Sequence, residues 1–214
     1  ADTVKIKVND FERDSELVEA ALEFNPDFKV RLDVNGGWNL DEALLNLYNY
    51  HLRFGEIFEY IEQPVLEIPD LIALKREIPM KIAIDESIRK ALDSDFLQAS
   101  EFADYAIIKW APSGGFSKAE KLMKKIGLPV IISSALDTGI GISHGLALAA
   151  SLTTESLACG LATTSLFESD VVKPEIEISG GAIQVKRNEP DMNLAKKYEV
   201  SDDRRIWWQE RISK

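Results

Sequence analysis

Polar residues recur along this chain at the ends of short apolar, β-branched runs: Lys7 in TVKIKV, Asp33 in KVRLDVN, Glu62 in FEYIEQ, Asp85 in KIAID, Lys109 in YAIIKW and Ser133 in PVIISS. They follow one another at intervals of about 23 to 29 residues, the length of one strand, one helix and their connections. Asp33, Glu62 and Asp85 form an all-oxygen donor set suited to a hard divalent cation. Mg²⁺ is preferred, with Mn²⁺ as a substitute, because Mg²⁺ takes few protein carboxylates and keeps positions for water and a ligand. Zinc would want His or Cys. His51 and His144 fall on predicted helices, where they read as surface or packing residues, and the single Cys159 reads as a small buried hydrophobe. Lys7 and Lys109 flank the carboxylates, and Lys5 adds like charge on the face of Lys7. Lysines beside a cation-binding carboxylate triad suit the removal of a proton next to a carboxylate, the developing enolate charge being met by the cation.

Such residues need elements that bring them to one place. Strands are expected at 3–8, 29–35, 58–63, 81–85, 105–110, 129–134 and 155–160, with helices at about 12–24, 40–53, 68–77, 94–103, 116–126 and 141–152. The helix at 116–126 sets Ala119, Leu122, Met123 and Ile126 on one face, with Ser117 near its start and Gly127 after its end. Strand–helix alternation predicts an α/β fold with a parallel sheet and helices outside. In a (β/α) barrel of the TIM type, side chains at the C-terminal strand ends converge on one mouth, whereas an open sheet would spread them along an edge. Period two within the strands puts Lys5, Lys7, Arg31, Asp33, Asn35, Asp85 and Lys109 inward, and Ile6, Leu32, Ile84 and Ile108 outward against helices.

Seven strands are legible, one short of a closed barrel. The expectation is an incomplete barrel over 1–168, strands 2 to 8 of a (β/α)7β barrel, completed by a missing N-terminal part of a longer protein or by another chain. A C-terminal segment over 169–214 should pack beside it. Within that segment EIEISGGAIQV, 175–185, reads as a hairpin turning at Gly180–Gly181, and Trp207 and Trp208 are expected to anchor the end of the chain.

The composition agrees with a folded enzyme-sized domain: 214 residues, 45% hydrophobic and 29% charged. A net charge of -11 argues against nucleic acid or an anionic membrane as the main partner. One cysteine, no long apolar span and no signal-peptide pattern suggest a cytoplasmic protein acting on a small molecule.

The ordered motifs resemble the enolase superfamily, in its muconate-lactonizing-like subgroup: KxK at Lys5–Lys7, DxN at Asp33–Asn35, EQP at Glu62–Pro64, DES at Asp85–Ser87 and Lys109 in IIKW. RxDxN at 31–35, SSALDTGIG at 133–141 and LACGLAT at 157–163 are similar to an actinobacterial, dehydrating branch of it, whose members are carbon–oxygen lyases acting on a cyclohexadiene carboxylate. The resemblance implies Lys7 as the base, Lys109 as the cation opposite it, and Asp33, Glu62 and Asp85 as Mg²⁺ ligands. It further implies Lys5, Arg31, Asn35, Gly114, Ser133 and Ser134 as substrate contacts, and an N-terminal capping domain closing over the mouth. Arg31 is equally readable as the partner of a neighbouring acid such as Glu62 or Asp33. Racemases and epimerases of the same superfamily share most of these motifs, and a barrel that binds without catalysing is the alternative of another class.

Overall fold

The structure is a computed structural model that describes residues 2–90, 95–152 and 157–212. Six strands, β1 (Thr3–Lys7), β2 (Lys29–Asp33), β3 (Phe58–Glu62), β4 (Ile82–Ile84), β5 (Tyr105–Lys109) and β6 (Val130–Ser133), lie side by side in chain order. All five pairings are parallel. Between them run α1 (Phe11–Phe24), α2 (Leu40–Phe54), α3 (Ile68–Glu77), the short α4 (Glu86–Lys90), α5 (Phe116–Ile126) and, after β6, α6 (Gly139–Ala150). The expected helix at 94–103 is a 3-10 turn, Asp95–Glu101, broken at Gln98, where φ is -130°; residue 94 lies outside the described residues.

Local signals set the helix ends. Asn39 and Glu42 form a reciprocal capping box at the start of α2. Gly127 closes α5 in the left-handed conformation, with φ 68°. α5 spans the expected 116–126, with Ser117 in its first turn; it starts after Gly115 without a side-chain cap.

The alternation within strands separates two apolar layers. Ile6, Leu32, Ile61, Ile84, Ile108 and Ile132 belong to the large core shared with the helices. Tyr60, Ala83, Ile107 and Ile131 form a second cluster on the other face of the sheet, with Tyr105 and Leu157 against it. A fully buried aliphatic side chain contributes about 1.5–3 kcal/mol, so a one-residue slip of any strand would exchange the two layers at prohibitive cost. The register places Lys7 beside Asp33 and Asp33 beside Glu62.

The expected seventh strand is reduced to one parallel bridge. Gly160 pairs with Ser133, its N–H donating to the Ile132 carbonyl and its own carbonyl accepting from Ser134 N–H. Residues 155 and 156 of that expectation lie outside the described residues. Beyond it, β7 (Ile178–Ser179) and β8 (Ala182–Ile183) form the expected hairpin, with Gly180 and Gly181 both at positive φ, 57° and 78°. The segment holds to α6 through Asp170, which accepts from Gly139 N–H, and Asn188, which donates to Ser143 Oγ. Two helices follow, α7 (Met192–Lys197) and α8 (Asp202–Ile212). The tryptophans of α8 are not anchors: Trp207 and Trp208 are 41% and 44% exposed and contact each other edge to face, with Arg204 over the Trp207 ring. No described helix is long and apolar enough to cross a membrane.

Candidate active site

The parallel register delivers Lys7, Asp33 and Glu62 to one level at the C-terminal strand ends, and Asp85 follows directly after β4. All three carboxylates are buried, at 2%, 1% and 3% exposure for Asp33, Glu62 and Asp85. Lys5 Nζ lies 2.9 Å from Asp33 Oδ2 and 3.1 and 3.0 Å from the two oxygens of Glu62. Lys109 Nζ donates to Asp85 Oδ2 at 2.5 Å. Lys7 Nζ donates to Asn35 Oδ1 at 2.5 Å and stands 3.8 Å from Asp33 Oδ2.

Burial pushes the Glu62 carboxyl up to about 7, with Asp33 and Asp85 adding repulsion, against the pull of the Lys5 ammonium. Burial alone would lower Lys5, but Glu62 and Asp33 outweigh it and raise its pKa. The Lys5 charge is therefore engaged by two carboxylates rather than turned on Lys7.

Arg31 is the partner of a neighbouring acid, one of its two readings. Its partner is neither Asp33 nor Glu62 but Glu59: Nε and Nη2 both lie 2.5 Å from Glu59 Oε2, Nη1 donates to the Ala158 carbonyl at 2.6 Å, and the guanidinium sits over the Tyr60 ring. The cause is a register shift in the β2–β3 ladder, where Val30 faces Phe58 but Arg31 faces Tyr60, so Glu59 is the extra residue beside it. Asn35 adopts φ 52° and joins Lys7 to Glu86, donating from Nδ2 to Glu86 Oε1 at 3.2 Å.

A cavity of about 120 Å³ opens inside the sheet, lined among others by Lys5, Arg31, Tyr60, Glu62, Ser133 and Gly160. Ser134 and Gly114 do not line it. Ser134 is bonded to Thr163, and Gly114 sits at φ 85° in the turn before α5. Glu59, Gln63 and Glu86 went unassigned in the sequence, although an inward arginine called for an acid nearby and EQP and DES contain the other two.

The donor chemistry fits a divalent cation. Three buried carboxylates sit at the ends of consecutive strands, and the Lys5 ammonium already bridges two of them. As they lie, the carboxylates are not drawn around a common point: among the described residues no group of three or more His, Cys, Asp or Glu stands close enough to hold a metal ion.

A curled parallel sheet wrapped by helices, with lysines and carboxylates at its C-terminal strand ends, defines a partial enolase-type (β/α) barrel. Residues 1–190 match the family model described as Enolase C-terminal domain-like, and the chain belongs to that family. It is 39% identical over 216 aligned positions to the o-succinylbenzoate synthase of Mycobacterium bovis (strain BCG / Pasteur 1173P2), covering 99% of this chain and 65% of that one. The chain thus spans a little under two thirds of the length of the curated relatives it matches. Among solved structures it is similar to an enolase superfamily member from Listeria innocua, at 29% identity and TM-score 0.76, covering 94% of this chain and 55% of that one. It is also similar to the L-Ala-D/L-Glu epimerase of Bacillus subtilis, at 28% identity and TM-score 0.74, covering 88% and 54%.

Proposed function

We propose that the chain is the catalytic barrel of an o-succinylbenzoate synthase: a hydro-lyase that dehydrates 2-succinyl-6-hydroxy-2,4-cyclohexadiene-1-carboxylate to o-succinylbenzoate, the reaction that serves menaquinone biosynthesis in the cytoplasm. The observation that carries this reading is the pair Lys7 and Lys109, brought from strands four apart to the two flanks of buried Asp33, Glu62 and Asp85. The likeness to the mycobacterial synthase along nearly the whole chain supports that branch. Residues 1–168 form the barrel unit, 169–214 the segment beside it, and an N-terminal cap encloses the substrate.

Asp33, Glu62 and Asp85 would hold Mg²⁺, which supplies Lewis-acid charge to the substrate carboxylate. Lys7 takes the proton from the carbon bearing that carboxylate. The electron pair left there forms the new ring double bond as the C–O bond breaks, and the departing hydroxide takes the proton back from Lys7 to leave as water. Lys109, from the opposite flank, keeps its proton and balances the negative charge that builds before the C–O bond breaks. Asn35 orients the Lys7 amine through the bond between them. Lys5 donates to both Asp33 and Glu62, and Ser133, on the cavity wall, offers a hydroxyl to the succinyl chain.

A second reading has its own support: the likeness to an epimerase, together with two lysines placed to act from opposite faces, suits racemisation of N-acylated amino acids or dipeptides. The full-length protein with Mg²⁺ should be assayed on the cyclohexadiene carboxylate and on N-succinyl amino acids, with wild type and Lys109→Arg. The synthase reading expects turnover of the first substrate, partly kept in the variant, because arginine preserves the charge. No turnover of the first substrate, with racemisation of the second that vanishes in the variant, overturns it in favour of two-base chemistry.

A further inference from the structure

Gln63 follows Glu62 at the end of β3, is fully buried, and holds a left-handed backbone with φ 39°, a conformation that costs a non-glycine residue free energy. Its carboxamide makes four contacts. Oε1 accepts from the backbone N–H of Asp85 and of Ser87, both at 3.0 Å, while Nε2 donates to the Val65 carbonyl at 2.8 Å and to Ser87 Oγ at 2.6 Å. Backbone N–H groups only donate and carbonyls only accept, so these partners dictate which way the amide faces. Its backbone is engaged as well: the N–H donates to the Ala83 carbonyl at 2.8 Å, and the carbonyl accepts from Gly36 N–H at 2.7 Å. One residue therefore ties together the turn after Asp33, the strand end carrying Glu62 and the backbone amide of Asp85. No other described contact links all three strand ends through hydrogen bonds of a single side chain and its own backbone.

We propose that Gln63 is the positioning residue that sets the mutual spacing of Asp33, Glu62 and Asp85 for a divalent cation. This rests on the reading above that these carboxylates hold Mg²⁺. Gln63 touches neither substrate nor metal; it acts by fixing backbone to which the ligands are attached. A glutamine serves because the task needs two acceptor lone pairs and two donors on one short, planar group. Gln63→Met keeps length and volume but abolishes all four side-chain bonds, freeing the Asp85 and Ser87 amides.

The test uses the full-length protein, with Mg²⁺ alone as the probe. Wild type and Gln63→Met are titrated calorimetrically with MgCl₂, their urea midpoints are compared, and amide hydrogen exchange is read at Asp85 and Ser87 against Leu71 and Leu74 in α3. Disturbing groups that orient metal ligands typically costs about 10- to 100-fold in metal affinity, and that loss is expected here. Exchange should quicken at Asp85 and Ser87 while α3 stays protected. A purely structural role would lower the urea midpoint and leave the Mg²⁺ affinity of the folded protein unchanged, and that result overturns the proposal; so does unaltered exchange at both amides. Wild type that binds no Mg²⁺ refutes the functional reading itself, an outcome distinct from a wild type that binds and a variant that binds equally well. If Gln63→Met does not fold, Ser87→Ala removes one partner of the amide and should weaken Mg²⁺ by about 3-fold, a fraction of the full effect; wild-type affinity there overturns the proposal too.

Discussion

Arg31 and Glu59 make the sharpest prediction, because two roles for the arginine lead to different measurements. Their side chains are 6% and 10% exposed, and the guanidinium meets one carboxylate oxygen through two nitrogens at 2.5 Å each. Glu59→Met leaves a buried guanidinium without its counter-charge, which should cost about 3–5 kcal/mol. Arg31→Met strands the carboxylate and also deprives the Ala158 carbonyl of its donor, adding about 1–3 kcal/mol. Replacing both, Arg31→Met with Glu59→Met, leaves no buried charge and only that carbonyl unpaired, so the double variant should be less impaired than either single one. The coupling should be at least about 3 kcal/mol, at the upper end for residues in contact because both groups are desolvated. Urea unfolding of the four proteins at pH 7 measures it. A coupling below about 1 kcal/mol would refute the buried brace. An Arg31→Met protein of unchanged stability, with a greatly raised KM for the carboxylate substrate, would return Arg31 to ligand binding.

Two further outcomes can be checked with the same equipment. Burial would raise the Asp14 carboxyl, but the Arg13 guanidinium and the N–H groups of Asn9 and Asp10 outweigh it and hold the group below its ordinary value of 3.8. The stability it contributes is thus present above that value and lost as pH falls through the depressed one; Asp14→Asn should be less stable than wild type at pH 7 by about 1–3 kcal/mol, and a gap that does not begin to narrow as pH falls below 3.8 contradicts this. Leu32→Ala, at a fully buried position between sheet and helices, should cost about 2–5 kcal/mol, while Trp207→Ala on exposed α8 should change the unfolding free energy by less than about 1 kcal/mol; comparable losses would mean that α8 is packed more tightly than its exposure indicates.

Much of the fold could be read from periodicity, because the two apolar layers demand it. Leu32, Ile84 and Ile108 face helices while Ala83 and Ile107 do not, as strict alternation requires. The polar residues at the strand ends were legible for the same reason, their recurrence matching the βα repeat. What escaped was whatever broke the period or fell below its length. The extra residue at Glu59 re-pairs Arg31, and no count of alternate positions reveals a register shift. At five residues, α4 is too short to show a 3.6-residue period. Gln63 was visible as a letter in EQP, but its role depends on backbone groups of residues 85 and 87, whose proximity only the fold creates. Trp207 and Trp208 misled because bulky aromatics usually seek burial, and here they meet each other edge to face and take arginine over a ring instead.

The lysine–carboxylate contacts at the mouth have a kinetic consequence. Lys5, Lys7 and Lys109 lie against Asp33, Glu62 and Asp85, so the doorway is close to electrically balanced, while the chain as a whole carries -11. A small anion diffusing toward it meets a repulsive far field and little attraction until the last few ångströms. Salt shortens the reach of that field, to about 8 Å at physiological ionic strength. For this domain, added salt should hasten the arrival of a carboxylate ligand, the reverse of what an electropositive funnel would give.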